Sequence, residues 1–332
     1  MGTLKECINK KVTSSIPIWF MRQAGRYLPE FRKIRSENSN FIKLCLNPTL
    51  SKEITIQPLR RFQIDAAIIF SDILLVPYSL GQDVVFEKGL GPKLGELDFD
   101  KISNISDDQI LEKLKPIYDL IKLVSNDKIM KNKDLIGFIG ATWTLLVYML
   151  NRQSPKKIND GIFTNPKIDQ IIEKIIHCQK LHIKNQVSNG ASIIQIFDSW
   201  AGLASEDQLE KYIYRTTKEL VEYTKNLGVE VICFPRGIKS YKKYCDLVKP
   251  SAINIDYEVD PFKIAKDIKI PVQGGMDPKC LLLDKDEMLK NAKKYLDVFK
   301  DHNYIFNLGH GMIPETNPEN VKILVNFVKD FR

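Results

Sequence analysis

The stretch Ser192-Ile193-Ile194-Gln195-Ile196-Phe197-Asp198-Ser199-Trp200-Ala201-Gly202-Leu203-Ala204-Ser205-Glu206-Asp207-Gln208 holds the repeating unit of the chain. A short β-branched apolar run predicts a buried strand, Asp198-Ser199-Trp200 ends it, and Ser205-Glu206-Asp207-Gln208 has the spacing of a capping box that opens a helix. The same order recurs on both sides. Strands are expected at about Ile16 to Phe20, Ala66 to Phe70, Leu135 to Ile139, Ser192 to Phe197, Glu230 to Phe234, Ala252 to Ile255, Pro271 to Gln273 and Tyr304 to Asn307, with segments of helical period between them. Asn317-Pro318-Glu319 marks a further helix start, an N-cap before proline at the first helical position. Regular alternation of strand and helix specifies an α/β fold on a parallel sheet, and eight strands predict a closed (β/α)8 TIM barrel.

One stretch breaks the rhythm. Gly81 to Gly95, with Asp83-Val84-Val85-Phe86-Glu87 before Lys88-Gly89-Leu90-Gly91-Pro92, predicts a β-hairpin inserted after the second strand. Gly89-Leu90-Gly91 begins like a dinucleotide fingerprint, but no third glycine opens a helix there and Pro92 follows at once. A single domain over residues 1–332 is expected, because 332 residues at 44% hydrophobic content can bury one large core and no segment reads as an interdomain linker. The net charge of +8 raises nucleic acid as a partner, yet the lysines scatter over nearly every predicted helix instead of forming one stripe. Six cysteines without a C-x-x-C pair fit free thiols better than a zinc ribbon or a disulfide framework. The sequence shows no apolar run long enough to span a bilayer and no targeting segment at its start, so a cytoplasmic protein is expected.

Active sites of such barrels gather on the loops after the strands, and here those ends are polar. They carry Arg22, Ser71-Asp72, Gly140-Ala141-Thr142-Trp143, Asp198-Ser199-Trp200, Arg236-Gly237, Asp256-Tyr257, Gly274-Gly275 and Gly309-His310-Gly311. Four of the ten arginines also fall between positions 22 and 35, in a chain that otherwise uses lysine for its positive charges. The planar guanidinium fork binds carboxylate or phosphate through two parallel hydrogen bonds, so the segment reads as a polyanion clamp. His177 and His182 lie at five-residue spacing on a helix, off the face a metal pair would use, and read as structural.

Pro17-Ile18-Trp19-Phe20-Met21-Arg22-Gln23-Ala24-Gly25-Arg26-Tyr27-Leu28-Pro29-Glu30 and Gly137-Phe138-Ile139-Gly140-Ala141-Thr142-Trp143-Thr144-Leu145 resemble the two signatures of uroporphyrinogen decarboxylases. Phe70-Ser71-Asp72-Ile73-Leu74, Gln195 to Gly202, Gln273 to Pro278 and Asn307 to Gly311 extend the resemblance over almost the whole chain. It implies a (β/α)8 barrel acting as a homodimer without metal or organic cofactor, removing carboxyl groups from the four acetate arms of uroporphyrinogen III to give coproporphyrinogen III. Carried over residue by residue, it places substrate contacts on Arg22, Gln23, Ala24, Gly25, Arg26, Arg35, Asp72, Tyr148, Ser199 and His310. Thr142 stands where the family usually has Pro, and Gly275-Met276 where it usually has Asn-Leu.

The chemistry asks for such a constellation. An octa-acid arranged around four pyrrole N–H groups needs cations at its rim, for which Arg22, Arg26 and Arg35 are suited, and an acceptor at its centre. Asp72 is the candidate catalytic group: it can accept pyrrole N–H bonds and stabilise the cation that develops when a ring carbon is protonated and the C–C bond breaks into the ring. The proton donor stays open among Tyr148, His310, bound water and a substrate carboxyl, since an unperturbed guanidinium is a poor acid. Two other readings stand beside this one. A zinc- or corrinoid-dependent methyltransferase of the same barrel superfamily would need His and Cys ligands at the strand ends, where only Cys233 comes near. A basic nucleic-acid-binding protein would need exposed aromatics, whereas Trp19, Trp143 and Trp200 read as core or pocket wall.

Overall fold

The computed structural model describes residues 2–9, 13, 15–87, 89–155, 158, 163 and 165–331; Lys88, in the predicted hairpin turn, lies outside them. Among the described residues, β1 (Ala66–Ile68), β4 (Asp134–Gly140), β5 (Ile193–Asp198), β6 (Glu230–Pro235), β7 (Ala252–Ile255), β8 (Val272–Gly274) and β9 (Tyr304–Ile305) follow one another around a single parallel sheet. β2 (Val84–Glu87) and β3 (Gly91–Leu94) form the separate antiparallel hairpin read from the sequence. Helices cover the outside. The helix Asp107–Ser125 starts at a Ser106/Gln109 capping box and buries Ile110, Leu114, Ile117, Ile121 and Val124 at helical spacing. Every residue of β4 is buried, as a sheet covered on one side and closed on the other requires.

The expected first strand, Ile16 to Phe20, is reduced to one parallel bridge, Ile18 to Phe306. The reason is chemical. Pro17 has no N–H, and the Ile18 N–H donates to the Asp65 carboxylate (2.7 Å) instead of to a neighbouring main chain. The segment still closes the barrel, for Phe306 N donates to Pro17 O (2.8 Å) on one side and Asp65 N to Ile18 O (2.9 Å) on the other. Lys329 of the last helix, Pro318–Asp330, neutralises Asp65 at 2.5 Å.

The barrel interior is crossed by a polar chain. Trp19 Nε1 donates to Gln273 Oε1 (2.9 Å), and Gln273 Nε2 donates to Asn254 Oδ1 (2.7 Å) and Gln195 Oε1 (3.3 Å). These buried amides largely satisfy one another, Gln195 Nε2 alone of this polar chain's amide groups being left without a partner among the described residues, and they tie the first, fourth, sixth and seventh positions of the ring together. Burial pushes the thiols of Cys7, Cys178, Cys233 and Cys245 up to about 12. No described helix is long and apolar enough to cross a membrane.

Asp65→Ala should destabilise the protein by about 2–4 kcal/mol in urea unfolding, since it orphans both the Ile18 N–H and the half-buried Lys329 cation. Asp65→Asn, which can still accept from Ile18, should cost less; equal stability of the alanine variant and the parent would remove the closure role.

Candidate active site

Arg22 follows the closing segment with a left-handed backbone (φ 60°), which is uncommon for a residue with a side chain. Its neighbours hold it there. Met21 N donates to Asn307 Oδ1 (3.0 Å), Met312 N to Met21 O (2.9 Å), and Gln23 Nε2 to Ala66 O (3.0 Å). Phe20 N donates to Gln23 Oε1 (3.0 Å) and Tyr27 Oη to Gln23 O (2.8 Å). Gly311 lies flat against the arginine stem: a Cβ there would stand 2.4 Å from Arg22 Cδ. Gly25 is needed for a different approach, since its Cβ would meet Arg22 O at 2.8 Å.

Arg22 is open to solvent, yet burial lowers its pKa, with Arg26 lowering it further and Asp72 and Tyr148 opposing. The two facts agree if the side chain lines a concave mouth, wetted on one face and enclosed elsewhere. Neither the Arg22 nor the Arg26 guanidinium has an ion pair or hydrogen bond among the described residues. Two like charges thus stand near one another without an ion-pair partner, an arrangement that favours an anionic ligand.

Asp72 follows β1. Its Oδ1 accepts from Leu74 N (2.8 Å), so part of the carboxylate does serve the following turn, while Oδ2 has no partner among the described residues. Burial raises its pKa to about 6 against the pull of the Leu74 N–H and Arg22. Tyr148, on the helix Thr142–Asn151 after β4, lies within the field of both Asp72 and Arg22, and burial raises its hydroxyl. The Trp200 ring stands edge-on to it at 5.7 Å. Ser199 follows β5, half-buried, its hydroxyl unpartnered among the described residues. His310, after β9, is lowered to about 4 by burial, then by Arg22 and Arg236, so the imidazole is neutral at physiological pH.

The structure therefore brings Arg22, Arg26, Asp72, Tyr148 and His310 into one electrostatic neighbourhood, with Ala24 and Gly25 in the turn between the arginines. Two expected contacts differ. The Gln23 side chain is buried and spends both its groups on Phe20 and Ala66, because the wall of the barrel needs them. Arg35 donates through Nη1 to Asn38 O (2.5 Å) and Ser39 O (2.7 Å) and lies over Phe41, closing the C-terminus of the helix Pro29–Glu37. Both departures from the usual family pattern have local substitutes: Thr142 Oγ1 donates to Gln179 Oε1 (2.8 Å), whose Nε2 holds Gly140 O (2.7 Å), and the Tyr295 ring fills the place of a Cβ at Gly275. His182 is buried against Tyr118 and His177 pairs with Asp107 at 2.7 Å, both away from the mouth.

Sequence reasoning missed Asp198, a buried carboxylate at the end of β5. Thr144 Oγ1 donates to its Oδ1 (2.6 Å), its Oδ2 is unpartnered, and burial raises it to about 7. A separate depression of about 500 Å3, lined by Gly2, Lys5, Asp134 and Ser192, lies at the opposite end of the barrel. Asp134 there is occupied with Lys5 N (3.0 Å) and Ser192 Oγ (3.2 Å), tying the first helix beneath the sheet.

Fold and mouth together define a (β/α)8-barrel protein whose strand ends carry two guanidiniums without an ion pair among the described residues. The solved structure of a methyltransferase from Methanosarcina mazei has the same fold (TM-score 0.80, 14% identity, 100% of this chain and 99% of that one covered). The uroporphyrinogen decarboxylase (URO-D) family model matches residues 2–331, and the chain belongs to that family. It is 42% identical to a uroporphyrinogen decarboxylase of Wolbachia pipientis over 95% of this chain and 94% of the relative. With those of Rickettsia bellii and Cereibacter sphaeroides it shares 37% (97% of each chain) and 34% (98% of each).

Gly311→Ala should cost about 1–3 kcal/mol through the clash with Arg22. In an Arg22→Ala background the same change should be nearly neutral, a coupling that a double-mutant cycle by denaturant unfolding reads directly. Asp198 generates a pH test. Its folded pKa lies above the unfolded one, so the folded state holds the extra proton and this contribution to stability fades as pH rises from about 4 through about 7. Melting curves should show Asp198→Asn gaining on the parent protein between about pH 4 and 7; a pH-independent difference would refute the shift.

Proposed function

We propose that this chain decarboxylates the four acetate side chains of uroporphyrinogen III, giving coproporphyrinogen III and CO2 in tetrapyrrole synthesis. The observation that carries the reading is the pairing of two uncompensated guanidiniums, Arg22 and Arg26, with a carboxylate, Asp72, that keeps one oxygen free. The arginines take carboxylates at the rim. A charge-assisted hydrogen bond contributes about 1.5–3 kcal/mol, so two forked cations can position the substrate and offset its desolvation. Asp72 accepts pyrrole N–H bonds at the centre.

Loss of CO2 leaves an electron pair on a methylene. Protonation of a ring carbon beside the nitrogen makes the pyrrole an iminium-like cation conjugated with that methylene, and the C–C bond breaks into it; a second proton then turns the methylene into methyl, and the ring carbon gives up the first to restore the pyrrole. The substrate is its own electron sink, so the reading calls for no organic cofactor and no metal. Asp72, with a pKa of about 6, is mostly ionised at neutral pH and already in place to stabilise the developing positive charge. Tyr148, whose hydroxyl burial keeps protonated, and neutral His310 donate hydrogen bonds to substrate carboxylates, as does Ser199. Burial moves Arg22 in the direction that makes it a better acid, which adds it to the proton-donor set. The working unit is a homodimer of one catalytic domain, as the resemblance implies. A thiol-activating methyltransferase would need His and Cys ligands grouped together, and among the described residues no such group forms; Cys233, near a strand end, is buried and raised to about 12.

Purified protein incubated anaerobically with uroporphyrinogen III should give seven-, six-, five- and four-carboxylate products in succession. Asp72→Ala should lose on the order of 10² to 10³ in rate, while Arg22→Lys and Arg26→Lys should weaken substrate retention despite keeping the charge. For the parent, kcat/KM should fall below about pH 6 as Asp72 takes up a proton. Absence of any carboxylate loss would overturn the assignment.

A further inference from the structure

The groups assigned so far lie on one side of the mouth. Around the ring the closing segment is position one, β1 two, β4 three, β5 four, β6 five and β9 eight. Arg22, Asp72, Tyr148, Ser199 and His310 follow positions one, two, three, four and eight. Arg236 follows β6, four positions from Arg22 in either direction, and so stands across the opening.

Its backbone is fixed on three sides. Arg236 N donates to Asp198 O (3.1 Å), Arg236 O accepts from Gly202 N (2.9 Å), and Gly237 N donates to Asp256 Oδ2 (2.8 Å). The loops after β5 and β6 touch so closely that a Cβ on Gly202 would stand 2.6 Å from Gly237 O. The loop after β9 leans over to the same place: a Cβ on Gly309 would stand 2.3 Å from Tyr257 N. His310, next to Gly309 on that loop, lies within the field of both Arg22 and Arg236.

The Arg236 side chain is half-buried and makes no ion pair or hydrogen bond among the described residues. The anion that its loop brings nearest is already occupied, since Asp256 Oδ2 takes Gly237 N and Tyr241 Oη (3.3 Å) and Oδ1 takes Glu258 N (2.9 Å). A pre-positioned, unspent guanidinium on a rigid loop is a carboxylate receptor.

We propose that Arg236 forms a second carboxylate subsite of the mouth, gripping an acidic side chain of the substrate at the edge opposite Arg22 and Arg26, with His310 beside it. This rests on the decarboxylase reading and adds to it a positional rule. A ring with acids on every side can turn about its own axis under a one-sided clamp, whereas grips at opposite edges fix which acetate lies over Asp72.

Steady-state kinetics on Arg236→Gln, Arg236→Lys and, as a charge control, Lys239→Gln test the subsite. Lys239 is exposed and pairs with Glu206 at 3.4 Å, outside the mouth. Arg236→Gln should raise KM for uroporphyrinogen III about ten- to a hundredfold, the loss of one charge-assisted pair, with kcat within about threefold. Intermediates with five to seven carboxylates should accumulate, and the salt dependence of kcat/KM should flatten. Arg236→Lys should recover part of the KM, and should show a smaller rise of its own even if the glutamine variant fails to fold. Unchanged KM in both Arg236 variants, or an equal rise in Lys239→Gln, would overturn the subsite. A parent protein without turnover would strike the decarboxylase reading instead, so the two failures are distinguishable.

Discussion

A single carboxylate, Asp65, holds the barrel shut where the main-chain ladder fails. It receives the Ile18 N–H that Pro17 leaves without a strand partner and is itself neutralised by Lys329 from the last helix. The consequences run outward along the chain. With Ile18 fixed between β1 and β9, Met21 reaches Asn307, Gln23 reaches Ala66, and the residue between them is forced into a left-handed backbone that turns its guanidinium into the mouth. The orientation of Arg22 is thus set by barrel closure and not by contacts of the guanidinium itself.

The surface and the mouth treat charge in opposite ways. Outside, several cations pair with neighbours one helical turn away or on the next helix, as Lys115 with Asp119 and Lys180 with Glu219, and such exposed pairs contribute little to stability. Inside the mouth, Arg22, Arg26 and Arg236 stand unpaired, the nearest carboxylate is pushed toward its neutral form by burial, and the histidine within the field of two of them is kept uncharged. Like charges held in one mouth without an ion-pair partner repel one another, an unfavourable arrangement that an anionic ligand relieves. The net charge of +8 extends the same bias to longer range and makes the approach of a polyanion sensitive to salt.

Much of this was legible in the sequence because strands and their polar ends are local signals. The apolar runs located seven of the parallel strands to within a residue or two, and the Gly-rich break located the β2–β3 hairpin. The first strand was misread as a full element because an Asp forty-seven positions away supplies its hydrogen bond, a tertiary substitution that periodicity does not carry. Gln23 and Arg35 illustrate the same limit. Their residue types fit a polar site, but whether an amide or a guanidinium faces a ligand or a neighbouring carbonyl depends on backbone direction. Asp198 was visible only as a strand-end acid like Asp72; their difference, full burial against an open oxygen, belongs to packing. Arg236 is legible only as a strand-end residue, since nothing in its local sequence says that its guanidinium stays without a partner.

The bond between Met21 and Asn307 spans 286 positions, and Gly311 and Met312 press on the same turn from even further along. During synthesis the arginine turn therefore leaves the ribosome long before the residues that shape it exist. Pairings of such sequence separation form late, after loop-closure entropy has been overcome. A nascent chain that stops short of Asn307 has all three arginines of the anion clamp but lacks the bonds from Asn307 and Met312 that complete the turn, so the full grip arrives only with β9 and the loop after it.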